Sequence, residues 1–484
     1  MKAVLALDQG TTGSTALVVD EEGRVLGRGY RELPQHFPRP SWVEHEPEEI
    51  WRVTLEAARQ ALGTARISRK DITAIGITNQ RETTVLWDRN SGAALHRAIV
   101  WQDRRTAERC RQLDPALIRE KTGLVPDPYF SATKLEWLLK ELGRPQHAAF
   151  GTVDSWLVHK LTKGRAHVTD PSNASRTMLY DIDAQAWDDE LLALFGVPRD
   201  LLPEVRPSSG TFGLADAEWF GHEIPIAGIA GDQQAALFGQ GCVAAGGAKN
   251  TYGTGAFLLL NTGAERVRSA HGLLTTIGCD AHGKPAYVLE GSVFIAGAAV
   301  QWLRDGLGII ASAKETEALA RSVPDTGGVV FVPAFVGLGA PHWEAEARGA
   351  VFGLTRGTTK AHLVRAALEA MAFSTKEVLD AMTADAGLAL GDLRVDGGAA
   401  SNDWLMQFQA DVLGVLIRRP DVVETTALGA AGLAGLATGV WATVAQFVAA
   451  RRFAEFAPGS MPEERWREWQ RGVRATLDWA RDRV

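Results

Sequence analysis

The 484-residue chain lacks the residues on which several classes of protein depend. Its three cysteines, Cys110, Cys242 and Cys279, are too few and too scattered for a disulfide framework or a cysteine-rich metal site. A net charge of −7 provides no basic surface that would neutralise a phosphate backbone. We therefore expect a cytoplasmic protein with reduced thiols and no nucleic-acid partner.

Only one stretch of the sequence is long and uncharged enough to suggest a membrane span. The N-terminal apolar run is too short for a signal peptide. Residues 427–450 carry no charge, but glycines, threonines and Gln446 make them weakly apolar. We expect a buried helix of small residues that ends near Gly439, a second helix after it, and no membrane insertion.

The chain does contain enough apolar residues for two cores. Hydrophobic residues make up 46 % of it, and a single core stops growing at about 250 to 300 residues. Segments with strand and helix periodicity alternate, which predicts an α/β fold. LALDQGTTGSTALVVD and KNTYGTGAFLLLNTGAERV, one in each half, both place a turn of glycine and hydroxyl residues between two strands. We expect two related domains, residues 1–241 and 242–484.

These glycine and hydroxyl turns predict a phosphate site. Converging backbone N–H groups and side-chain hydroxyls suit a phosphate, and glycine lets the backbone approach it. The chain has neither the GxxxxGK[ST] loop nor a strand-to-helix GxGxxG. A third glycine turn, VDGGAASN, opens an expected helix. Three such turns indicate one nucleotide site, although the first turn, DQGTTGST, taken alone is also compatible with a plain hairpin.

The segments between the turns resemble the FGGY family of carbohydrate kinases. The matching motifs are ITNQRETTVLWD, AIVWQDRRTAE, DPYFSATKLEWLL, IAGIAGDQQAALFGQ, VPAFVGLGAPHW, GAVFGLTRGTTKAHLVRAALE and LRVDGGAASNDWLMQFQADVLG. The resemblance covers nearly the whole chain, from Val4 to about residue 460. It implies two ribonuclease-H-like domains, as in actin-like ATPases, with an interdomain cleft. It also implies phosphorylation of glycerol to sn-glycerol 3-phosphate with Mg²⁺ and ATP.

The same resemblance implies which residues form the site. Asp232 is the implied general base, and Asp8 and Asp232 are expected beside Mg²⁺. Glycerol is expected to contact a charged and aromatic set: Arg81, Glu82, Trp101, Tyr129, Asp232, Gln233 and Phe257. ATP is expected on a set rich in glycine and threonine: Thr11, Thr12, Gly13, Thr254, Gly297, Gln301, Gly398 and Asn402.

Elementary chemistry supports several of these roles and leaves alternatives open. Adjacent Arg81 and Glu82 offer donors and acceptors to a triol, although such a pair also occurs at ordinary strand ends on the surface. Asp232 follows a strand and precedes a helix, so it is a base facing the cleft, a helix N-cap, or both. Asp8 lies either near Mg²⁺ or in a turn that its own side chain stabilises.

The chain departs from the family pattern at two places. Thr15 stands where many members have an arginine that would reach the transferred phosphate, so one positive charge is missing. The loop before IPIAG reads FGHE and lacks the arginine that receives a regulatory sugar phosphate in some members, so we expect no such regulation. A pentulose kinase and an ATPase without a small acceptor remain alternatives. The resemblance favours a homodimer or homotetramer.

Overall fold

The computed structural model describes residues 1–482. Strands occur in both halves of this range. In the first half they are Ala3–Gln9 (β1), Gly13–Asp20 (β2), Val25–Glu32 (β3), Glu44–His45 (β4), Ile72–Asn79 (β5), Val85–Asp88 (β6), Ala98–Ile99 (β7), Ala148–Gly151 (β8), Val168–Thr169 (β9), Tyr180–Asp181 (β10), Ala186–Trp187 (β11), Glu204–Val205 (β12), Ser209–Ala215 (β13) and Ile224–Gly231 (β14). In the second half they are Ala248–Tyr252 (β15), Ala256–Gly263 (β16), Leu274–Cys279 (β17), Pro285–Val293 (β18), Val330–Val332 (β19), Ala350–Phe352 (β20), Asp392–Gly397 (β21), Leu416–Pro420 (β22) and Phe453–Phe456 (β23).

Helices connect these strands and cover the sheets. They are Pro47–Thr64 (α1), Ala107–Arg111 (α2), Pro115–Thr122 (α3), Ser131–Glu141 (α4), Val153–Leu161 (α5), Pro171–Ala174 (α6), Asp189–Phe195 (α7), Ala217–Phe220 (α8), Asp232–Gly239 (α9), Gly297–Gln301 (α10), Glu315–Arg321 (α11), Lys360–Ala386 (α12), Asp403–Leu413 (α13), Thr425–Ala437 (α14), Val444–Ala449 (α15) and Glu463–Arg481 (α16). Glycines mark several helix ends: α12 stops at Gly387, whose φ of 62° an L side chain rarely adopts.

The first large sheet has six strands in the order β13-β14-β5-β1-β2-β3. Its centre is parallel, because β1 and β14 both run parallel to β5, whereas β2 and β3 are antiparallel. Strand β1 is buried at all but one position, since helices α1 and α5 cover one face and α14 covers the other. A strand covered on both faces is expected to read as a continuous apolar run, as VLAL does.

The second large sheet repeats this order with later strands. Its seven strands run β17-β18-β16-β15-β21-β22-β23. Strands β15, β16 and β18 are antiparallel neighbours, and β15, β21 and β22 are parallel, as are β1, β5 and β14 in the first sheet. The prediction of an α/β fold with two like domains is therefore confirmed. The predicted boundary at residues 241 and 242 lies between the two sheets and stays a prediction.

The stretch that suggested a membrane span forms two helices, α14 and α15, as expected. Helix α14 packs on the first sheet and on α9, although in sequence it lies between the strands β22 and β23 of the second sheet. Its small residues permit this approach: a Cβ added at Gly429 would lie 1.8 Å from the carbonyl oxygen of Ala235, and one added at Gly76 would lie 2.1 Å from that of Ala430. Among residues 1–482, none of the helices combines the length and the apolar character that crossing a bilayer requires.

Candidate active site

Three parallel strands of the first sheet end at one edge and bring the predicted charged residues together. Gln9, Asn79 and Gly231 are aligned across β1, β5 and β14. Asp8, Arg81 and Asp232 lie within two residues of these aligned positions, at the carboxyl ends of the strands. Ligands of open parallel sheets bind at this edge, so topology alone makes it a candidate site.

Arg81 is the most highly connected of these residues. Its side chain is 2 % exposed, and its Nε lies 3.3 Å from Oδ1 of Asp232. Nη1 and Nη2 donate to the two carboxylate oxygens of Glu290 at 2.7 and 3.0 Å, and Nη2 also donates to the Tyr129 hydroxyl at 3.3 Å. The surface-pair alternative is wrong, because both Arg81 and its neighbour Glu82 are buried.

Glu82 turns its carboxylate into the same cluster. Its backbone adopts a φ of 63°, which is uncommon for a residue with a side chain. The carboxylate accepts a hydrogen bond from Nε of Arg176 at 2.5 Å and lies 3.6 Å from Nε of Arg81. Burial raises the pKa of Glu82, and the two arginines oppose this rise. The arrangement provides acceptors and donors for hydroxyl groups in a small volume.

Asp232 occupies the first position of helix α9. The helix is capped by Gly231 and has no side-chain cap, so the N-cap alternative for Asp232 is wrong. Its Oδ1 instead accepts the backbone N–H of Gln233 at 2.7 Å and faces Arg81, while the side chain stays 32 % exposed. Burial raises the pKa of Asp232, and the charge of Arg81 lowers it in part. The partial exposure leaves this carboxylate open to a substrate hydroxyl, and Arg81 favours its ionised form, which is the form that can accept a proton.

Asp8 lies close enough to Asp232 for the two charges to interact. Burial, and then the negative charges of Asp232 and Glu424, raise the pKa of Asp8 to about 7. A divalent cation would relieve this repulsion, and carboxylates with water and phosphate oxygens are the ligands that Mg²⁺ prefers. The donor set therefore fits Mg²⁺ held jointly by protein and phosphate. Residues 1–482 contain no cluster of three or more side chains able to hold a metal on their own.

Aromatic residues connect the charged cluster to the first turn. The rings of Trp101 and Tyr129 meet edge to face with centroids 5.4 Å apart. Trp101 donates its indole N–H to the hydroxyl of Thr11 at 2.9 Å. The turn itself is tight, because the N–H of Gly10 bonds to the carbonyl of Gly13 at 2.9 Å. One wall of the predicted glycerol site thus touches the predicted phosphate turn.

In the second sheet, the predicted nucleotide residues also gather at strand ends. Tyr252 and Gly397 are aligned at the carboxyl ends of the parallel strands β15 and β21, so the turn with Thr254 and the turn with Gly398 begin at the same edge. The N–H of Gly297 bonds to the carbonyl of Gly253 at 3.0 Å.

Three other predicted residues occupy separate positions. Gln301 ends the short helix α10 and is exposed, and Asn402 caps α13 by accepting the N–H of Leu405 at 2.9 Å. Phe257 lies on β16, two residues before Leu259, which is aligned with Lys249 and Glu290 on the flanking strands. Residues spaced by two share a sheet face, so Phe257 shares its face with both. The ligand roles assigned to these three residues, and to all the other site residues, stay predictions.

Sequence reasoning missed Arg176, Glu290 and Lys249. Arg176 approaches both Glu82 and Glu290, and the ammonium of Lys249 donates to the predicted glycerol-site residue Gln233. Burial lowers the pKa of Lys249 to about 8. A signal was available, because Glu290 is the lone charge in the apolar strand YVLEGSV, and an isolated buried charge requires partners.

Comparison with known proteins agrees with this arrangement. Residues 3–239 match the N-terminal domain, and residues 248–438 the C-terminal domain, of the FGGY family of carbohydrate kinases. The chain belongs to this family.

Individual relatives narrow the comparison. A glycerol kinase of Dechloromonas aromatica is 59 % identical to this chain over 99 % of the chain and 98 % of its own length. The structure resembles that of Plasmodium falciparum glycerol kinase with ADP, with a TM-score of 0.92 and 37 % identity over 99 % of this chain and 98 % of that one. A xylulose kinase from Lactobacillus acidophilus shares the fold with a TM-score of 0.88, at 20 % identity over 99 % and 98 % of the chains.

Proposed function

We propose that the chain is a glycerol kinase, which transfers the γ-phosphoryl group of ATP to a terminal hydroxyl of glycerol. The products are sn-glycerol 3-phosphate and ADP, and the reaction is the first step of glycerol breakdown. The observation that carries the proposal is the cluster of buried Arg81, buried Glu82 and partly exposed Asp232 at the carboxyl ends of the parallel strands β5 and β14. High identity to a glycerol kinase along the whole chain supports the same substrate.

The charged cluster suits a three-carbon polyol. Arg81 and the Tyr129 hydroxyl offer donors, and Glu82 and Asp232 offer acceptors, at distances that three adjacent hydroxyls span. The Trp101 ring provides an apolar wall for the carbon chain. A substrate that lacks one hydroxyl would leave a buried charged group unmatched, which costs several kcal/mol.

Asp232 is the residue we assign as general base. Its carboxylate is 32 % exposed, and Nε of Arg81 lies 3.3 Å from Oδ1. Phosphoryl transfer has a loose transition state, so Asp232 needs to orient the hydroxyl and to take its proton late in the reaction rather than to be a strong base. Gln233 follows it and is held by Lys249 from the second sheet.

ATP is assigned to the glycine and threonine turns at the carboxyl edges of the two sheets, and Mg²⁺ to the side of Asp8 and Asp232. Thr11, Thr12 and Gly13 belong to the first turn and Thr254 to the second, with Gly297, Gln301, Gly398 and Asn402 along the rest of the nucleotide. The ion, when bound, neutralises charge on the transferred phosphoryl group. Because Thr15 carries no charge, Arg81 and Lys249 are the protein cations beside Asp232 that remain for this task.

A coupled ADP-release assay over a panel of glycerol, xylulose, ribulose and no acceptor tests the proposal. We expect turnover that depends on glycerol and on Mg²⁺. A preference for xylulose or ribulose would favour the pentulose kinase alternative, and ATP hydrolysis that ignores every acceptor would point to an ATPase.

Two further features of the proposal are the location and the assembly. The need for ATP is consistent with activity in the cytoplasm. We expect a homodimer or homotetramer, which light scattering on the purified protein will distinguish from a monomer.

A further inference from the structure

Glu290 lies on a strand of the second sheet, and its buried carboxylate contacts the charged cluster at the edge of the first sheet. It lies near the C-terminal end of β18 and is 1 % exposed. Its two oxygens bind Nη1 and Nη2 of Arg81 at 2.7 and 3.0 Å, and Oε1 also lies 3.2 Å from Nη2 of Arg176. The carboxylate thus holds the Arg81 guanidinium by two hydrogen bonds and forms an ion pair with that of Arg176.

The contacts of Arg81 differ in strength along its two sides. The bidentate pair with Glu290 has the short distances typical of charge-assisted hydrogen bonds. The contacts to Asp232 and to the Tyr129 hydroxyl are longer, both 3.3 Å, and the hydrogen bond that Nη1 donates to Oε1 of Gln234 is 3.2 Å long. Glycerol hydroxyls entering the site would compete with these longer contacts and leave the short pair intact. Glu290 therefore holds the guanidinium plane, and the longer contacts are the ones that substrate hydroxyls can replace.

Charge balance explains why Glu290 stays ionised. Arg81 and Arg176 face Glu82 and Glu290, so two buried positive charges meet two negative ones. Burial raises the pKa of Glu290, but the charges of Arg176 and Arg81 outweigh burial and lower it to about 2. Removing this carboxylate alone would leave the two arginines with one glutamate between them.

We propose that Glu290 is a positioning residue that orients Arg81 for glycerol, so that the second domain contributes to acceptor recognition. The inference rests on the proposed glycerol kinase function. Since both carboxylate oxygens of Glu290 accept hydrogen bonds from Arg81, Glu290 acts through Arg81. Its loss is expected to weaken glycerol binding while the nucleotide edge of the second sheet keeps its shape.

Glu369 provides a matched control inside the same domain. It lies on α12, is 2 % exposed, and bridges Arg365 and Arg465 as Glu290 bridges Arg81 and Arg176. Glu290→Gln and Glu369→Gln therefore remove the same charge from the same kind of buried pair. Only the first of the two pairs lies beside Asp232.

The experiment measures KM for glycerol, KM for ATP, kcat and the thermal unfolding midpoint of both variants. For Glu290→Gln we expect KM for glycerol to rise about 10-fold or more, with KM for ATP changed less than about 2-fold. Selectivity for glycerol over 1,2-propanediol, which lacks one hydroxyl, should fall as well. Glu369→Gln should lower the unfolding midpoint and leave both KM values near wild type.

Each outcome decides the inference. Equal KM values for glycerol in wild type and Glu290→Gln would overturn it, as would the same rise in Glu369→Gln. Should Glu290→Gln not fold, Glu290→Asp keeps the charge but shortens the reach, and a rise in KM for glycerol alone supports the proposal. If both Glu290 variants misfold while Glu369→Gln folds, Glu290 is required for folding, and the proposed role in positioning Arg81 is overturned. Wild-type protein without glycerol-dependent turnover would instead overturn the proposed function.

Discussion

The two large sheets follow the same strand order, yet their carboxyl edges differ in chemistry. The edge of the first carries the ionisable residues Asp8, Arg81 and Asp232 in addition to its own glycine and threonine turn at residues 10–13. The edge of the second carries a glycine and threonine turn at residues 253–255 and the glycine pair at residues 397–398. Charged side chains suit a polyol and a metal ion, whereas glycine turns leave backbone N–H groups open to a polyphosphate. Topology thus sets where a site forms, and residue type sets which ligand it favours.

The largest expected effect tests the charged edge at Asp232. Asp232→Asn keeps the shape of the side chain but removes the proton acceptor, so kcat should fall by about 10² to 10⁴ while both KM values change little. Steady-state kinetics with glycerol and ATP measure this. Asp216→Asn is the matched control, because Asp216 caps helix α8 outside the site. Normal turnover in Asp232→Asn would show that Asp232 is not the general base and only begins helix α9.

A second prediction concerns the response of the first domain to acid. Burial lowers the pKa of His159 to about 4, as it does for His45 and His167, all in the first domain. As pH falls from about 6.5 toward 4, the unfolded chain binds protons that the folded chain does not, so stability decreases, by about 1 to 3 kcal/mol for each histidine.

His159→Phe removes one of these titrating groups and keeps an aromatic ring against Trp156. Its unfolding midpoint should therefore fall less than that of wild type between about pH 6.5 and pH 4.5. His282→Gln, an exposed change in the second half, should leave the wild-type slope unchanged. Parallel slopes in wild type and His159→Phe would contradict the prediction.

A third prediction tests the glycine edge of the second sheet. A Cβ added at Gly398 meets no atom within 4 Å, so Gly398→Ala should leave the unfolding midpoint near wild type. If the nucleotide lies over this turn, KM for ATP should rise about 10-fold because the methyl group occupies ligand space. Gly391→Ala, equally free of contacts, is the control and should change neither quantity. An unchanged KM for ATP in Gly398→Ala would place the nucleotide elsewhere.

The smallest expected effect concerns the contact between the predicted glycerol wall and the phosphate turn. Trp101→Phe keeps an aromatic ring but removes the 2.9 Å hydrogen bond to Thr11. One neutral hydrogen bond contributes about 1 kcal/mol, so kcat/KM should fall about 5-fold. Thr11→Val removes the same bond from the other side, and the double variant should be little worse than either single one. Fully additive losses would show that the two residues act independently.

The sequence predicted the fold class and most of the charged residues. A turn of glycine and hydroxyl residues between two strands recurs in both halves of the sequence, and this repetition predicted two like domains. Such turns can be recognised in a sequence because they depend on local residue type. The same reasoning recognised residues 427–450 as a buried helix of small residues followed by another. It did not predict that this helix packs on the first sheet. The glycines that allow the close approach, such as Gly76, do not show in the sequence which helix they contact.

By itself, the sequence determined the strands, the turns and the residue types at their ends, since these depend on neighbours in the chain. Only the tertiary structure decided that Arg81 meets Glu290, which lies 209 residues away, and that Lys249 reaches Gln233. Which strands become neighbours depends on how whole sheets bury their faces, and no short stretch of residues encodes that. The charges that complete the site therefore became visible only when both sheets were in place.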